Sequence, residues 1–308
     1  MTTRYYYHSS CLEHLNPPGH PERPDRLRAV EEALTNERFM MLEREEAPAA
    51  DPAWFELAHP ADYVKRVRSL IPEEGFAPID ADTAASPKSW EAVLHATGAA
   101  LDAVDAVFSG EVDNAFAAIR PPGHHAEKTT AMGFCLINNI AVAARYAQKK
   151  HGAERVAIVD FDVHHGNGTQ DIFWSDESVL FASTHQMPLY PGTGAIGETG
   201  VGNIFNAPLR HGDGGHQFKD AFRTRVLPAV DNFAPDLILV SAGFDAHFRD
   251  PLAGLELTAA DFDWATAEVM DLANRHCSNR VVSLLEGGYD LRGLAESAAA
   301  HVNRLMTG

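Results

Sequence analysis

Five short apolar runs, Ala115–Ile119, Val156–Phe161, Val179–Ala182, Leu237–Val240 and Val281–Leu285, have the look of buried parallel strands, and stretches of helical periodicity separate most of them. This alternation constrains the fold more than any other feature of the chain. The helical stretches include Trp90–Phe108, with its Ala/Val/Leu spacing, Asn139–Lys150, Gln217–Val230, Ala259–Arg275 and Gly293–Met306. Strands alternating with helices imply βαβ units, hence an α/β fold in which a parallel sheet is covered by helices on both faces. No internal repeat, low-complexity tract or Gly/Ser linker divides the chain, so residues 1–308 are expected to form a single domain.

Four of the apolar runs end in dense groups of reactive residues. These are Arg120-Pro-Pro-Gly-His124-His125, Asp160-Phe-Asp162-Val-His164-His165-Gly-Asn167, Ser241-Ala-Gly-Phe-Asp245-Ala-His247 and Glu286-Gly-Gly-Tyr289. In open α/β sheets ligands bind outside the carboxyl ends of the strands, so the four groups are expected to converge on one crevice. One Asp or His at a strand end is ordinarily a cap or turn residue; four such groups at equivalent ends point to a site.

Alternate residues of an extended segment project to the same side, so Asp160, Asp162 and His164 can face one point, or one of them can turn back to brace a neighbour. Mixed carboxylate and imidazole ligands suit zinc or another first-row divalent ion, iron(II) among them. Asp245 closes an independent strand end and supplies a further acid. Two carboxylates and one imidazole leave a coordination position open for water and substrate, as a catalytic ion requires, and no Cys-x-x-Cys pair offers a closed structural alternative. Spacing alone leaves Asp160 an equal candidate for ligand.

Pro121-Pro122-Gly123-His124-His125, the Asp160–Thr169 block, Tyr190-Pro191-Gly192-Thr193-Gly194, Gly243-Phe244-Asp245 and Glu286-Gly287-Gly288-Tyr289 together resemble the signature blocks of the histone deacetylase and acetylpolyamine amidohydrolase family. His20-Pro21-Glu22-Arg23-Pro24 is similar to the loop that borders the site in class II members. The resemblance implies the arginase–deacetylase fold and a Zn2+-dependent deacylase with Asp162, His164 and Asp245 as metal ligands. It makes His124 and His125 the tandem histidines beside the ion, with Asp160 bracing His124 and Asn167 facing His125. Many class I members carry Asp where Asn167 stands; a neutral amide stabilises imidazolium less, so His125 is expected to keep a lower pKa and to act as base. Which of the two histidines carries the transferred proton stays open. Tyr289 takes the place of the oxyanion donor, a place that His occupies in some poorly active class II relatives.

The resemblance also puts Phe134 and Tyr190 on facing walls of an acyl-lysine tunnel, with the Gly133 carbonyl nearby, Asp82 and Leu252 at the rim and Arg26 on an exit path for acetate. It places a monovalent-cation site, with K+ as its ion, at Ser183 beside the carbonyls of Asp160, Asp162 and His164. The expected substrates are acylated lysine in peptides or proteins, or else acetylated polyamines and other small amides. A two-metal ureohydrolase would need more acids than these groups show. An acyl-lysine binding module with a relic site is the alternative of another class, and the intact His pair and Tyr289 weigh against it.

Charge narrows the partners. With 25 Lys+Arg against 43 Asp+Glu the net charge is −18, unfavourable for a nucleic-acid backbone and compatible with a cationic partner. Three scattered cysteines form no disulfide framework. The N-terminus runs into a strand-like segment without an apolar signal region, and no stretch is expected to approach the roughly 20 apolar residues of a bilayer span. The reading is a cytoplasmic protein that engages no membrane.

Overall fold

The structure, a computed structural model, describes residues 1–308. The elements follow in the order β1 (Thr3–Tyr7), α1 (Ser10–Glu13), α2 (Asp25–Ala33), β2 (Glu43–Glu46), α3 (Ala61–Ser69), β3 (Ala77–Pro78), β4 (Ala84–Ala85), α4 (Ser89–Ser109), β5 (Asn114–Ala117), α5 (Asn139–His151) and β6 (Val156–Asp160). Then come α6 (Asn167–Phe173), β7 (Val179–Gln186), β8 (Ile204–Leu209), α7 (Gly215–Ala221), α8 (Leu227–Phe233), β9 (Leu237–Ala242), α9 (Ala259–His276), β10 (Val281–Leu285) and α10 (Leu291–Thr307). Eight strands form one parallel sheet in the order β2-β1-β5-β10-β9-β6-β7-β8, and β3 and β4 make a separate two-stranded antiparallel pair.

Every residue of β5, β6, β7, β9 and β10 is buried, which requires cover on both faces of the sheet and explains why these strands read as unbroken apolar runs. One contiguous hydrophobic cluster of 85 buried residues extends from Tyr5 to Leu305, so the chain has a single core, the mark of one domain. Local chemistry sets the helix ends. The Asn138 side chain accepts the Ala141 N–H at the start of α5, Lys149, Lys150 and His151 occupy its last turn, and Gly152 ends it in the left-handed conformation. Thr258 and Asp261 form a capping box at the start of α9.

Three expectations need correction. The helix foreseen over Gln217–Val230 is a longer helical run broken by a π turn at Phe222–Val226 between α7 and α8. Strands β2 and β8 are not among those expected: in β8, Ile-Phe-Asn-Ala-Pro-Leu, Asn206 and Pro208 interrupt the apolar run, whereas β2 reads Glu-Arg-Glu-Glu, is fully exposed, and exists because it pairs with β1, where Arg4 faces Glu43 at 3.2 Å. Such a charged edge also discourages further strand pairing. Finally, α4 spans 21 residues and is apolar enough to cross a membrane by length and composition, contrary to the expectation for this chain; its residues Ala96, Ala99, Ala100, Ala103 and Val104 are buried, as in a core helix.

The register places the site. Ala117, Leu284, Ser241 and Asp160 are partners in sequence across β5, β10, β9 and β6, forming a level row at the carboxyl ends of the four central strands. The chain segments leaving that row are the four reactive groups seen in the sequence.

Candidate active site

Beyond the row, Asp162 and His164 lie in the turn after β6 and Asp245 in the turn after β9. All three are buried, and one donor atom from each lies within 4.8 Å of the others. His164 Nδ1 is 3.2 Å from Asp162 Oδ1 and 3.1 Å from Asp245 Oδ2. Ligand atoms of a tetrahedral ion with bonds of 2.0–2.1 Å lie about 3.3 Å apart, so the two distances from His164 Nδ1 are those expected between ligands of one such ion. The other carboxylate oxygens are occupied: Val163 N–H donates to Asp245 Oδ1 at 2.8 Å, and Gly287 N–H to Asp162 Oδ2 at 2.8 Å. Gly287 has no alternative, because a Cβ there would stand 2.1 Å from Asp245 Oδ2.

Burial disfavours both carboxylates as charges; His124 and His164 nevertheless hold Asp162 far below the usual range, whereas burial and the Asp162 charge raise Asp245. Burial would lower the His164 pKa, but the hydrogen bonds its ring donates to Asp162 and Asp245, with the charges of both carboxylates, lift it to about 10. Two buried carboxylates aimed at one ring nitrogen therefore demand a positive charge between them, a proton or a cation.

The tandem histidines face opposite environments. His124 Nδ1 lies 3.0 Å from Asp160 Oδ2 and its Nε2 3.8 Å from Asp162 Oδ2. Burial opposes its charge, yet Asp162, Asp160 and Glu286 raise its pKa to about 10. Asp160 braces His124 in this geometry, and its own pKa rises to about 6 because burial outweighs the His124 charge. His125 Nδ1 lies 2.8 Å from Asn167 Oδ1. Burial and the charges of His124 and His164 push its pKa well below the ordinary value. The pair thus splits into one charged and one neutral ring, the latter with Nε2 free of protein partners.

Tyr289 immediately precedes Asp290, the N-cap of α10, whose side chain accepts the Gly293 N–H at 2.7 Å. Its ring stands edge-on to Phe134 at 5.9 Å and lies over the Arg26 guanidinium at 4.9 Å. Arg26 is fully buried and donates to the carbonyls of Gly288 and Glu286 and to Glu22, so it supports the Tyr289 turn from below and does not line the cavity in front of it. A second support comes from Asp250, whose carboxylate accepts N–H bonds from Tyr289 at 2.7 Å and from Leu252 at 3.0 Å, tying the two turns together. Burial and Asp245 raise its pKa to about 7.

These groups border a cavity of about 420 Å³ lined by His125, His164 and Tyr289 together with Gly133, Phe134, Tyr190, Asp82 and Leu252. Tyr190 stands edge-on to His125 at 5.3 Å. Gly133 and Phe134 both have positive φ, 57° and 68°. That is the natural range of glycine but strained for phenylalanine, and a Cβ on Gly133 would come within 2.5 Å of the His125 ring. Asp82 stands largely exposed at the rim, where partial desolvation of its carboxyl and the neighbouring Asp80 raise its pKa.

All the rim and wall residues named from sequence therefore meet at one cavity, which His164 of the metal donors and His125 of the His pair also line, while Asp162, Asp245 and His124 are buried behind them. Ser183 lies elsewhere: it is the register partner of Asp160 across β6 and β7, with its hydroxyl 2.9 Å from His185 Nδ1. Sequence reading missed Leu189 and Ala81 in the cavity wall, the supports Asp250 and Glu286, and the lining role of His20, whose ring is edge-on to Phe134 at 4.7 Å. Glu286 Oε2 accepts the Gly123 N–H at 2.7 Å beneath the His pair. For Glu286, an acid that directly ends the apolar run Val281–Leu285, that position was the available signal.

Comparisons with known proteins bear on this arrangement. A family model described as the histone deacetylase domain matches residues 20–305. A protein of Archaeoglobus fulgidus named a probable deacetylase is 40% identical over 95% of this chain and 83% of its own length. A histone deacetylase-like amidohydrolase of Pseudomonas aeruginosa is 40% identical over 93% of this chain and 81% of its own. The crystal structure of the HDA15 HD domain superposes with a TM-score of 0.93 at 38% identity, covering 99% of this chain and 89% of that one.

Proposed function

The chain belongs to the histone deacetylase family and is a hydrolytic deacetylase, and on that premise we propose that it is a zinc-dependent deacylase of N-acyl-lysine in peptides or proteins. The observation that carries the reading is the meeting of a three-donor metal set, a split histidine pair and Tyr289 at the inner end of a cavity with Phe134 and Tyr190 in its wall.

Amide hydrolysis needs a nucleophilic water, stabilisation of an oxyanion and a proton for the departing amine. An ion held by Asp162, His164 and Asp245 would lower the pKa of a water and polarise the acyl carbonyl. The protein supplies the remainder. His125, neutral and with Nε2 facing the cavity, takes the water proton and returns one to the amine; His124, kept charged by Asp160 and Asp162, adds positive charge beside the developing oxyanion. Tyr289 donates its O–H to that oxygen, and burial, by raising its pKa, keeps the proton on the phenol. Phe134 and Tyr190 enclose the lysyl methylenes, and the Gly133 carbonyl accepts from the amide N–H. The test is hydrolysis of an acetyl-lysine peptide and of acetylspermidine with and without a chelator; chelator-insensitive turnover would overturn the metal mechanism.

Substrate choice turns on Leu252, which lines the cavity and offers no charge to a distant ammonium. An apolar rim favours the neutral flank of a peptide and avoids the cost of desolvating an acid. The expected result is a wild type that prefers acyl-lysine peptide, and a Leu252→Glu variant whose kcat/KM ratio moves toward acetylspermidine by about tenfold, or about 1.4 kcal/mol. The second reading, an acetylpolyamine amidohydrolase, draws on Asp82 and Asp80 at the mouth and on the net charge of −18. A wild type already selective for acetylspermidine establishes it, and an unmoved ratio in Leu252→Glu removes Leu252 from the selection.

A further inference from the structure

Asn167 has hydrogen-bonding partners on both sides, and together they fix which way round its amide sits. On one side Oδ1 lies 2.8 Å from His125 Nδ1. On the other, Nδ2 donates to Glu127 Oε1 at 2.9 Å and to Met132 Sδ at 3.4 Å. A carboxylate and a thioether accept and cannot donate, so both hydrogens of the NH2 group must point toward Glu127 and Met132. Oδ1 is then the only group left for His125, and an oxygen of this kind only accepts. His125 must accordingly carry its ring proton on Nδ1, which leaves the Nε2 lone pair free toward the cavity.

We propose that Glu127 is a positioning residue which, by holding Asn167 in one orientation, selects the Nδ1–H tautomer of His125 and so keeps Nε2 competent to accept a proton. The inference rests on the reading of His125 as base. Glu127 is suited to the task because a charged acceptor makes a stronger bond than a neutral one, which widens the gap between the two amide orientations. Its loop is anchored as well: Lys128 N–H donates to Asp171 Oδ2 at 2.9 Å, on the helix α6 that begins with Asn167, and Glu127 N–H donates to the Thr130 carbonyl at 2.9 Å. Glu127 itself is only partly buried and lines no part of the cavity, so its effect has to pass through Asn167.

A lysine at 127 donates and cannot accept. It would draw Asn167 Oδ1 toward itself and turn the NH2 group on His125, whose Nδ1 must then accept and whose proton moves to Nε2. Glu127→Lys is therefore expected to lower kcat by about a hundredfold, within the 10²–10⁴ that general acid–base catalysis contributes, with KM and bound metal unchanged. Glu127→Gln retains an acceptor and is expected to keep kcat within about threefold of wild type. The effect of the lysine should reverse sign beside Asn167→Asp: that variant alone sets two carboxylates against each other, and Asn167→Asp/Glu127→Lys should recover at least about tenfold over it. The ring 15N signals of His125 in histidine-labelled protein, assigned by their loss in His125→Ala, report the tautomer without reference to turnover. Nδ1 is expected to be the protonated nitrogen in wild type and in Glu127→Gln, and Nε2 in Glu127→Lys. An unchanged tautomer in Glu127→Lys, or an Asn167→Asp/Glu127→Lys protein no better than Asn167→Asp, overturns the proposal. A switched tautomer with undiminished kcat leaves the orienting role intact and overturns the reading of His125 as base.

Discussion

Asp245→Ala is expected to abolish deacetylation and to leave the protein without stoichiometric metal. Asp162, His164 and Asp245 offer only three protein bonds to an ion, so the loss of one removes a third of the coordination and one of the two neutralising charges. Two measurements check this independently of turnover. Metal analysis of the purified variant should find far less than one ion per chain. Thermal unfolding should also differ: a ligand that binds only the folded state stabilises it by about 4 kcal/mol at a concentration a thousand times its Kd, so a chelator should lower the Tm of wild type and leave that of Asp245→Ala where it was. Stoichiometric zinc with normal turnover in the variant would show that the ion is held elsewhere.

Tyr289→Phe separates chemistry from binding. The phenyl ring can keep the edge-on contact with Phe134 and the stacking over Arg26, and the backbone N–H bond to Asp250 is unaffected, so the turn should hold its shape. What disappears, on the proposed mechanism, is a hydrogen bond made mainly in the transition state. Losing one such donor typically lowers kcat by about 10²–10³, or about 2.7–4 kcal/mol. Steady-state kinetics with metal analysis should show that fall in kcat, with KM and zinc content near wild type. An unchanged kcat would remove Tyr289 as oxyanion donor, and a change confined to KM would make it a residue that only holds substrate.

The chemistry of the site was legible because strand ends concentrate it locally. Asp160, Asp162, His164 and Asn167 fall within eight consecutive residues, and the same is true on a smaller scale of His124 with His125 and of Glu286 with Tyr289. Partners linked by the neighbouring turn could be paired from residue identity and the family resemblance. Supports reached across the fold could not. Asp250 is a carboxylate in an ordinary Asp-Pro-Leu loop until β9 and β10 lie side by side and bring the Tyr289 N–H to within 2.7 Å. Glu127 shares its loop with many polar residues, and only the placement of α6 shows that it faces Asn167.

The sequence by itself determined the parallel α/β class, five of the eight sheet strands as apolar runs and β1 as a strand-like segment, and the groups from which the site is built, because these are properties of consecutive positions. It did not determine that β5, β10, β9 and β6 are neighbours in that order with level ends. Strand order is set by the packing of helices whose contacts lie far apart in the chain, and the exposed, charged β2 exists only because β1 supplies its hydrogen bonds. The tertiary structure also decided what the ionisable side chains do. Two adjacent histidines with the same intrinsic pKa become one charged ring and one neutral ring because one buried imidazole faces the carboxylates of Asp160 and Asp162 and the other faces an amide oxygen, and burial strengthens the influence of whichever partner is present.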